Sequence, residues 1–411
     1  MIKQKTLEQT QLENKKVIVR LDLNVPIQDG KITDLERINA ALPTLRYLIK
    51  QNCKIICLSH LSRIKSIDDK NSGKKSLKIV AEKLKEILAS EANVMFCNES
   101  VGQTVVDAVA SLNPKDILVL ENTRYNDVDD NNNVVKKESK NDPELGKFWA
   151  SLADVFVNDA FGTAHRAHAS NVGIASNIAD SCLGYLMQTE LEHLQKLVNN
   201  PQRPFVVLLG GAKVSDKLGV IQQLLNVADK ILIGGGMANT FFKAKGMDIG
   251  NSKYEPDLIE TAKAILNSSH ADKIVLPIDE HGANEFANVT PIARDVDQPS
   301  PSANYMALDI GPKSVALFSE HLKSAKTIFW NGPVGVFEFD QFAVGTKQLG
   351  QAIASLTQQG AYTVIGGGDS AAAANQMGLA DSFSFISTGG GASLTFLEGA
   401  ELPGVKCVKP A

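Results

Sequence analysis

A short stretch, VNDAFGTAHRAHAS (157–170), places an acid, an arginine and two histidines among small residues, directly after an apolar run. Such residues suit a metal site, a catalytic base with helpers, or a cradle for an anion. The pair His165 and His168 has H-x-x-H spacing, but no third ligand candidate stands near it in the sequence, which argues against a metal. The planar guanidinium of Arg166 suits a carboxylate or a phosphate.

Polar residues follow other apolar runs of the first half, in RLDLNVP, SHLSR, ENTR and NDAFGTAHR. In open α/β sheets, ligands bind outside the carboxyl ends of the strands, so these residues are expected at one sheet edge. Each arginine alone reads as a solvated surface residue, but several at one edge would repel each other unless an anion joined them. The collected set is Arg20, Asp22, Asn24, His60, Arg63, Arg124, His165, Arg166 and His168. Asp22 and Asn24 either accept from a substrate hydroxyl or form a turn before Pro26.

The second half ends its strands in glycine-rich loops: GGAKVSDK (210–217), GGGMAN (234–239), NGPVGVFE (331–338), GGGDSAAAA (366–374) and STGGGAS (387–393). Glycine lets the backbone approach a ligand, and a helix that starts there offers free N–H groups to phosphates. Lys213 and Lys217 are spaced to share one face of a helix start, which is favourable only beside an anion. One of Asp369 and Ser370 is expected to be the N-cap residue of the helix that follows. The alternative role for Asp369 is contact with a Mg²⁺ ion bound to a polyphosphate.

The elements that carry these loops are short apolar runs alternating with helix-like stretches. Runs such as KVIVRL (16–21), KIICL (54–58), TIFWN (327–331) and YTVIG (362–366) are rich in Val and Ile, which predicts buried parallel strands in an α/β fold. Residues 182–204 are predicted to form one helix, with Leu183, Met187 and Leu191 on its apolar stripe, before NNPQRP ends it. Two α/β domains of similar size follow from this pattern.

The composition is that of an ordinary soluble globular protein, 44% hydrophobic and 21% charged. A net charge of −4 gives no reason to expect nucleic acid or a membrane as partner. The five cysteines show no metal-binding spacing, and the polar N-terminus is not a signal peptide, so a cytoplasmic protein with reduced thiols is expected. The residues of the first half suit a small polyanion, and the loops of the second half suit the phosphates of a nucleotide. Together these patterns predict a two-domain kinase.

The motifs RLDLNVP, VNDAFGTAHRAHAS, GGAKVSDK, GGGMA, WNGPVGVFE, GGGDS and STGGGAS resemble those of the phosphoglycerate kinase family, in the family's order. The resemblance implies reversible phosphoryl transfer between ATP and the carboxylate of 3-phosphoglycerate, with Mg²⁺ accompanying ATP or ADP. It implies a glycolytic monomer of two Rossmann-like three-layer domains that face a central cleft and close on a hinge. The expected bounds are 1–182 for the substrate domain, 183–203 for the connecting helix and linker, and 204–392 for the nucleotide domain. Residues 393–411 are expected to pack back on the first domain.

The resemblance also assigns roles to individual residues. The implied substrate-binding set is Asp22, Asn24, Arg37, His60, Arg63, Arg124 and Arg166. The implied nucleotide set is Lys213, Lys217, Gly236, Gly311, Glu338, Gly367, Gly368, Asp369 and Ser370, with Asp369 also at the metal. The catalytic set predicted on this basis is Arg37, Lys213, Gly367 and Gly390. The histidines of 165–168 are expected to add positive charge or hydrogen bonds.

Two departures and two alternatives accompany this reading. In HLSRI (60–64), Ser62 and Ile64 stand where the family usually has Gly and Pro, and Asn239 replaces a usual aromatic or aliphatic residue. GGGDSA (366–371) also fits a dinucleotide fingerprint, which would indicate an NAD-dependent dehydrogenase, but the next predicted strand does not end in the acid that this fingerprint requires. A non-catalytic nucleotide-binding protein on the same scaffold is the other alternative.

Overall fold

The computed structural model describes residues 2–411 and contains two compact units, Met1–Glu192 with Glu401–Ala411, and His193–Ala400. The boundary between them falls between Glu192 and His193, inside a helix and inside the stretch 183–203 predicted to connect the domains. Residues 393–400, predicted to belong with the first domain, lie in the second unit because most of them continue one of its helices.

The first unit is built on a parallel sheet, as the apolar runs predict. Its strands are β1 (Lys16–Leu21), β2 (Ile27–Gln28), β3 (Lys31–Ile32), β4 (Lys54–Leu58), β5 (Val94–Phe96), β6 (Ile117–Val119), β7 (Val155–Asp159) and β8 (Asp180–Leu183). Its helices are α1 (Glu36–Lys50), α2 (Ile67–Asn71), α3 (Lys78–Ile87), α4 (Gln103–Ala110), α5 (Pro143–Ser151) and the start of α6 (Tyr185–Val198). The sheet runs β5-β6-β4-β1-β7-β8, with all neighbours parallel.

Burial on both faces explains why these strands are continuous apolar runs. In β1, Val17, Val19 and Leu21 belong to one hydrophobic core, and Ile18 belongs to the core on the opposite face. Helices therefore cover the sheet on both sides, and its polar residues collect at the strand ends.

The second unit repeats the design. Its strands are β9 (Phe205–Leu209), β10 (Lys230–Ile233), β11 (Ile274–Val275), β12 (Asp279–Ala283), β13 (Ile292–Asp295), β14 (Met306–Ile310), β15 (Thr327–Asn331), β16 (Tyr362–Gly366) and β17 (Phe385–Ser387). Its helices are α7 (Leu218–Val227), α8 (Gly236–Ala244), α9 (Ile259–Leu266), α10 (Pro312–Lys323), α11 (Val344–Gln358), α12 (Gly368–Gln376) and α13 (Gly391–Leu397). The parallel sheet runs β11-β10-β9-β15-β16-β17, beside an antiparallel sheet β13-β12-β14.

Two features differ from the predictions. The single helix over 182–204 is wrong at its start, because Cys182 and Leu183 pair with β7 as part of β8 and the helix begins at Tyr185. The antiparallel sheet was not predicted, because strands such as DEHGA (279–283) lack both an apolar run and strict alternation.

The end of the chain packs in the first unit. Helix α14 (Pro403–Lys406) begins this segment, and Asn158 Nδ2 donates to the Gly404 carbonyl at 2.6 Å. The backbone N–H of Lys5 donates to the Lys409 carbonyl at 2.9 Å. Within residues 2–411, no helix combines the length and apolar character needed to cross a membrane.

Candidate substrate and nucleotide sites

The candidate substrate site lies where the first sheet reverses its strand order. From β1 the chain continues to β4 on one side, and β7 and β8 later add on the other, so β1 and β7 flank the topological switch point. Ligands of open α/β sheets bind outside the carboxyl ends of the strands at such a point. Asp22 follows β1, His60 follows β4, and the stretch 160–170 follows β7, so the predicted residues do meet at one edge.

An arginine cluster forms this edge. Arg124 is partly buried, and burial followed by the positive charge of Arg166 lowers its pKa, with Arg63 adding a smaller effect in the same direction. Arg63 and Arg166 are exposed. Like charges gathered in this way repel each other unless an anion lies between them, and guanidinium groups fit carboxylate and phosphate well. The predicted anion-binding arginines are therefore neighbours.

Arg37 reaches this edge from the first turn of α1. Its Nη1 donates to Asp22 Oδ1 at 2.7 Å, and the Asp22 side chain is only 7% exposed. The pattern of strand ends could not have found Arg37, because it lies on a helix rather than after a strand. Only the family resemblance pointed to it.

Asn24 holds the loop that carries His60 and Arg63. Its Oδ1 accepts a hydrogen bond from the Ser62 N–H at 2.8 Å, and Arg124 Nη1 donates to the Ser62 carbonyl at the same distance. Ser62 adopts a φ of 58°, the left-handed region that glycine occupies without penalty. The Gly that the family resemblance leads one to expect here would have a conformational reason, whereas Ser62 adopts this φ with a side chain.

Positive charge or hydrogen bonds were the two roles expected of the histidines, and burial disfavours their charged form. Burial and the nearby charges of Arg20 and Arg124 lower the pKa of His168 to about 3. Burial, with Arg166, also lowers the pKa of His165. The neutral form of both rings is therefore favoured, and neither Nδ1 atom has a hydrogen-bond partner within residues 2–411.

The candidate nucleotide site lies at the corresponding switch point of the second sheet, between β9 and β15. The loops after these strands touch: a Cβ on Gly210 would lie 2.1 Å from the Pro333 carbonyl oxygen, so only glycine allows this approach. A cavity of about 280 Å³ opens beside them. Its walls include Gly211, Gly236, Asn239, Phe242, Phe286, Leu308, Val336, Glu338 and Asp369. This mixture of apolar walls and a few polar groups is typical of small-molecule sites.

Lys217 lies at the centre of the switch point. Its Nζ donates to the carbonyls of Gly210 and Asn331, the residues at the ends of the two strands. Burial lowers its pKa to about 8, although the nearby carboxylate of Asp369 opposes this effect. The prediction that Lys213 and Lys217 share a helical face is wrong, because α7 begins at Leu218 and both lysines precede it. Lys213 is exposed, whereas Lys217 is buried.

The GGGDS loop starts helix α12 as predicted, but its cap differs. Gly367 is the N-cap residue, with a φ of 98°, and Asp369 lies exposed in the first turn and on the cavity wall. Ser370 is fully buried and accepts a hydrogen bond from the Gly332 N–H at 2.6 Å, so it braces the loop after β15. Gly368 is exposed next to the cap. Gly390 is the N-cap residue of α13, with a φ of 45°.

Of the remaining predicted nucleotide residues, two line the cavity and one does not. Gly236 and Glu338 line it. Gly311 does not: it follows the lining residue Ile310, and its N–H donates to the Asp279 carbonyl at 3.0 Å. Asn239 lines the wall and donates from Nδ2 to the Lys253 carbonyl at 3.0 Å, which gives its amide nitrogen a partner where the family resemblance leads one to expect an aromatic or aliphatic side chain.

Residue Glu138 was missed by sequence reasoning. It lies in a polar stretch, 129–142, that shows no periodicity, yet its side chain is completely buried beneath the arginine cluster. Its Oε1 accepts a hydrogen bond from Ser170 Oγ at 2.5 Å. No sequence signal marks it, because its burial depends on the packing of 129–142 against the stretch after β7.

Fold and sites together define a class: an α/β protein with two parallel-sheet units, one carrying an arginine cluster and the other a glycine-lined cavity. Comparison with known proteins agrees. A profile of the family described as Phosphoglycerate kinase matches residues 7–400. The chain is 58% identical to the phosphoglycerate kinase of Mycoplasmoides gallisepticum, over 98% of each chain, and 55% identical to that of Levilactobacillus brevis, again over 98% of each.

Solved structures give the same answer. The phosphoglycerate kinase of Coxiella burnetii superposes with a TM-score of 0.82 at 37% identity, covering 98% of both chains. That of Pyrococcus horikoshii gives a TM-score of 0.83 at 32% identity, over 99% of this chain and 98% of the other. The chain belongs to the phosphoglycerate kinase family and is an enzyme of that family. The dehydrogenase and binding-only alternatives find no support in these comparisons.

Proposed function

We propose that the chain transfers a phosphoryl group reversibly between ATP and the carboxylate of 3-phosphoglycerate, giving ADP and 1,3-bisphosphoglycerate. The observation that carries this proposal is the arginine cluster at the first switch point, which suits a small polyanion. The family membership and the glycine-lined cavity at the second switch point support it. The proposed setting is a cytoplasmic monomer that acts on these small molecules and needs neither nucleic acid nor a membrane.

The proposed substrate site uses charge and geometry rather than a general base. Arg63, Arg124 and Arg166 hold the anionic groups of 3-phosphoglycerate, and His60 donates a hydrogen bond. Asp22 and Asn24 fix Arg37 and the loop around Ser62, respectively. The accepting carboxylate is already ionised at neutral pH, so the reaction needs positioning and stabilisation of the transferring group.

The proposed nucleotide site binds phosphates through Lys217 and the N-terminus of α12, with Ser370 bracing the neighbouring loop. Glu338, Gly236 and the region around Gly311 accommodate the nucleoside. Arg37, Lys213 and the backbone N–H groups of the Gly367 and Gly390 loops stabilise the phosphoryl group in transit, because free N–H groups at helix starts favour anions.

Mg²⁺ fits this site as a partner of the nucleotide. Residues 2–411 contain no cluster of three His, Cys, Asp or Glu side chains able to hold a metal ion by themselves. Asp369 alone projects a carboxylate at the start of α12, and one carboxylate with phosphate oxygens is a common Mg²⁺ environment. When bound, the ion would neutralise phosphate charge, and Asp369 would hold it.

A coupled assay tests the proposal. Purified chain is given 3-phosphoglycerate and MgATP, and 1,3-bisphosphoglycerate is followed through NADH oxidation. Arg37→Ala should lower turnover by roughly 10³-fold or more, the scale of an arginine that stabilises a transferring phosphoryl group. Arg46→Ala on the same helix is the matched control, because Arg46 pairs with Glu91 and is half exposed. A folded wild-type chain that binds MgATP without turnover would contradict the proposal.

A further inference from the structure

A buried chain of hydrogen bonds runs beneath the arginine cluster. Ser170 Oγ donates to Glu138 Oε1 at 2.5 Å, and Arg20 Nε donates to Ser170 Oγ at 2.8 Å. Arg20 Nη2 then lies 3.0 Å from His60 Nδ1. Glu138 and Ser170 are 0% exposed, Arg20 is 1% exposed and His60 is 6% exposed. The chain therefore connects a residue of a polar loop to a predicted substrate ligand through side chains that are all buried.

The chemistry of arginine fixes the direction of the two bonds that Arg20 makes in this chain. Arginine has no acceptor, so its Nη2 must donate and His60 Nδ1 must accept. The neutral His60 ring consequently carries its proton on Nε2. Arg20 Nε also donates, which commits one lone pair of Ser170 Oγ and sends the hydroxyl proton toward Glu138. Glu138 Oε1 at the end of the chain accepts this proton, so each donor in the chain has an acceptor.

The segment that supplies Glu138 is itself fixed. The Ala169 N–H donates to the Glu138 carbonyl at 3.0 Å, so the backbone beside Ser170 is joined to the loop twice. Ser139 donates to the carboxylate of Asp127 by both its N–H and its hydroxyl. Arg20 Nη1 donates to the Leu21 carbonyl at the end of β1. Glu138 and Arg20 are thus each held by a second contact besides those of the chain.

The electrostatic surroundings of His60 agree with a neutral ring. Burial lowers the pKa of His60 well below 6.5, and the positive groups that face it act in the same direction. The positive groups are Arg20 from β1, Arg124 and Arg37 from α1; the titratable ring of His168 also faces His60. Around Glu138, the charged and titratable groups are Arg20, Arg124, Asp127 and His168.

We propose that Glu138 is a positioning residue for substrate binding: through Ser170 and Arg20 it holds His60 as the neutral Nε2–H tautomer, so that His60 offers the substrate a directed hydrogen-bond donor. The arginines then supply the positive charge of the site, and the hydrogen bond from His60 orients the substrate. The identity of the anion as 3-phosphoglycerate rests on the proposed function, whereas the tautomer of His60 does not.

The test reads the tautomer first and binding second. Histidine is labelled with ¹⁵N, the His60 signals are assigned with His60→Gln, and its ring nitrogens are observed at pH 7 without substrate. Ser170→Ala and Glu138→Ala interrupt the chain, whereas Glu138→Gln keeps an acceptor oxygen. Ser176→Ala, an exposed serine near the end of the same segment that donates to the Val172 carbonyl, is the matched control. Circular dichroism and thermal melting identify variants that fail to fold.

The wild type, Glu138→Gln and Ser176→Ala should show a single Nε2–H tautomer. Ser170→Ala, and Glu138→Ala if it folds, should show a mixture and a KM for 3-phosphoglycerate raised roughly tenfold, with kcat changed less. Rescue by Gln would not be expected of a residue that acts only through its charge. A folded Ser170→Ala with the wild-type tautomer and KM would overturn the proposal. A wild type that shows the tautomer but no turnover would contradict only the proposed function.

Discussion

Arg37 Nη1 and Asp22 Oδ1 lie 2.7 Å apart, and this ion pair joins the carboxyl end of β1 to the first turn of α1. Asp22 is nearly buried, whereas the Arg37 side chain is 35% exposed. The buried carboxylate of Asp22 therefore orients the more exposed guanidinium of Arg37. A bond to a substrate hydroxyl is one of the two roles predicted for Asp22, the other being a turn before Pro26, and in the structure one of its oxygens accepts from Arg37.

The Asp22–Arg37 pair predicts coupling between the two side chains. Asp22→Asn should lower kcat/KM for 3-phosphoglycerate roughly tenfold or more, since charge-assisted bonds are about twice as strong as neutral ones. In an Arg37→Ala background the same change should have a much smaller effect, which a double-mutant cycle measures. Asp34→Asn, which still caps the Glu36 N–H, serves as control. Additive effects in the cycle would show that Asp22 does not act through Arg37.

Lys217 predicts a pH dependence of nucleotide binding. Its pKa of about 8 in the free protein means that the ammonium is present below pH 8 and lost above it. KM for MgATP should therefore rise between pH 7 and pH 9 in the wild type. Lys217→Met should raise KM roughly tenfold at pH 7 and flatten the profile, because the charged phosphate contact is gone. Lys243→Met on α8 should keep the wild-type profile. If Lys217→Met kept the wild-type slope, the titration would belong to another group.

We expect replacement of Ser62 by glycine to stabilise the folded protein. The Ser62 φ of 58° costs an L-residue about 1 kcal/mol or more, a cost that glycine avoids. Ser62→Gly should raise the unfolding free energy by about 1 kcal/mol and the Tm by roughly 2–4 °C. Ser72→Gly is the opposite control, because Ser72 ends α2 with a φ of −66° and glycine should destabilise it. If Ser62→Gly melted below the wild type, the serine side chain would have to contribute more than the backbone costs.

We expect the burial of His168 to make the unfolding free energy of the first unit fall in acid. The His168 pKa of about 3 in the folded chain lies below the ordinary value of 6.5, because burial and then the arginines disfavour its charged form. The unfolded chain binds this proton more tightly, so the stability it contributes is complete above pH 6.5 and declines as the pH falls toward 3. The slope approaches about 1.4 kcal/mol per pH unit.

Urea unfolding at pH 7, 6 and 5 measures this effect. The unfolding free energy of His168→Gln should decline less steeply with acid than that of the wild type, whatever its value at pH 7. The control His270→Gln replaces a half-exposed histidine of the second unit. Equal slopes for wild type and His168→Gln would place the acid sensitivity elsewhere.

Sequence patterns predicted the strands that are buried on both faces. KVIVRL became β1 and TIFWN became β15 with the predicted bounds, because complete burial leaves only apolar residues. They did not predict β12, whose stability comes from antiparallel partners rather than from its own composition.

The site shows the same division. Residues that follow strands, such as His60 and Arg124, could be found from topology alone. The burial of Lys217 and Glu138 could not, because it depends on which distant segments pack over them. Arg37 needed the family resemblance for a related reason: its partner Asp22 lies 15 residues earlier in the chain, after β1.

The loop 129–142 has a consequence for protein engineering. Its tip, around Asn131–Asn133, is exposed and should accept an inserted tag or a tether to a surface. A few residues further on, Glu138 is enclosed and tied to the backbone of Ala169. A designer who shortened this polar stretch as dispensable surface would remove a part of the interior, and the damage would emerge at His60, far along the chain from the deletion.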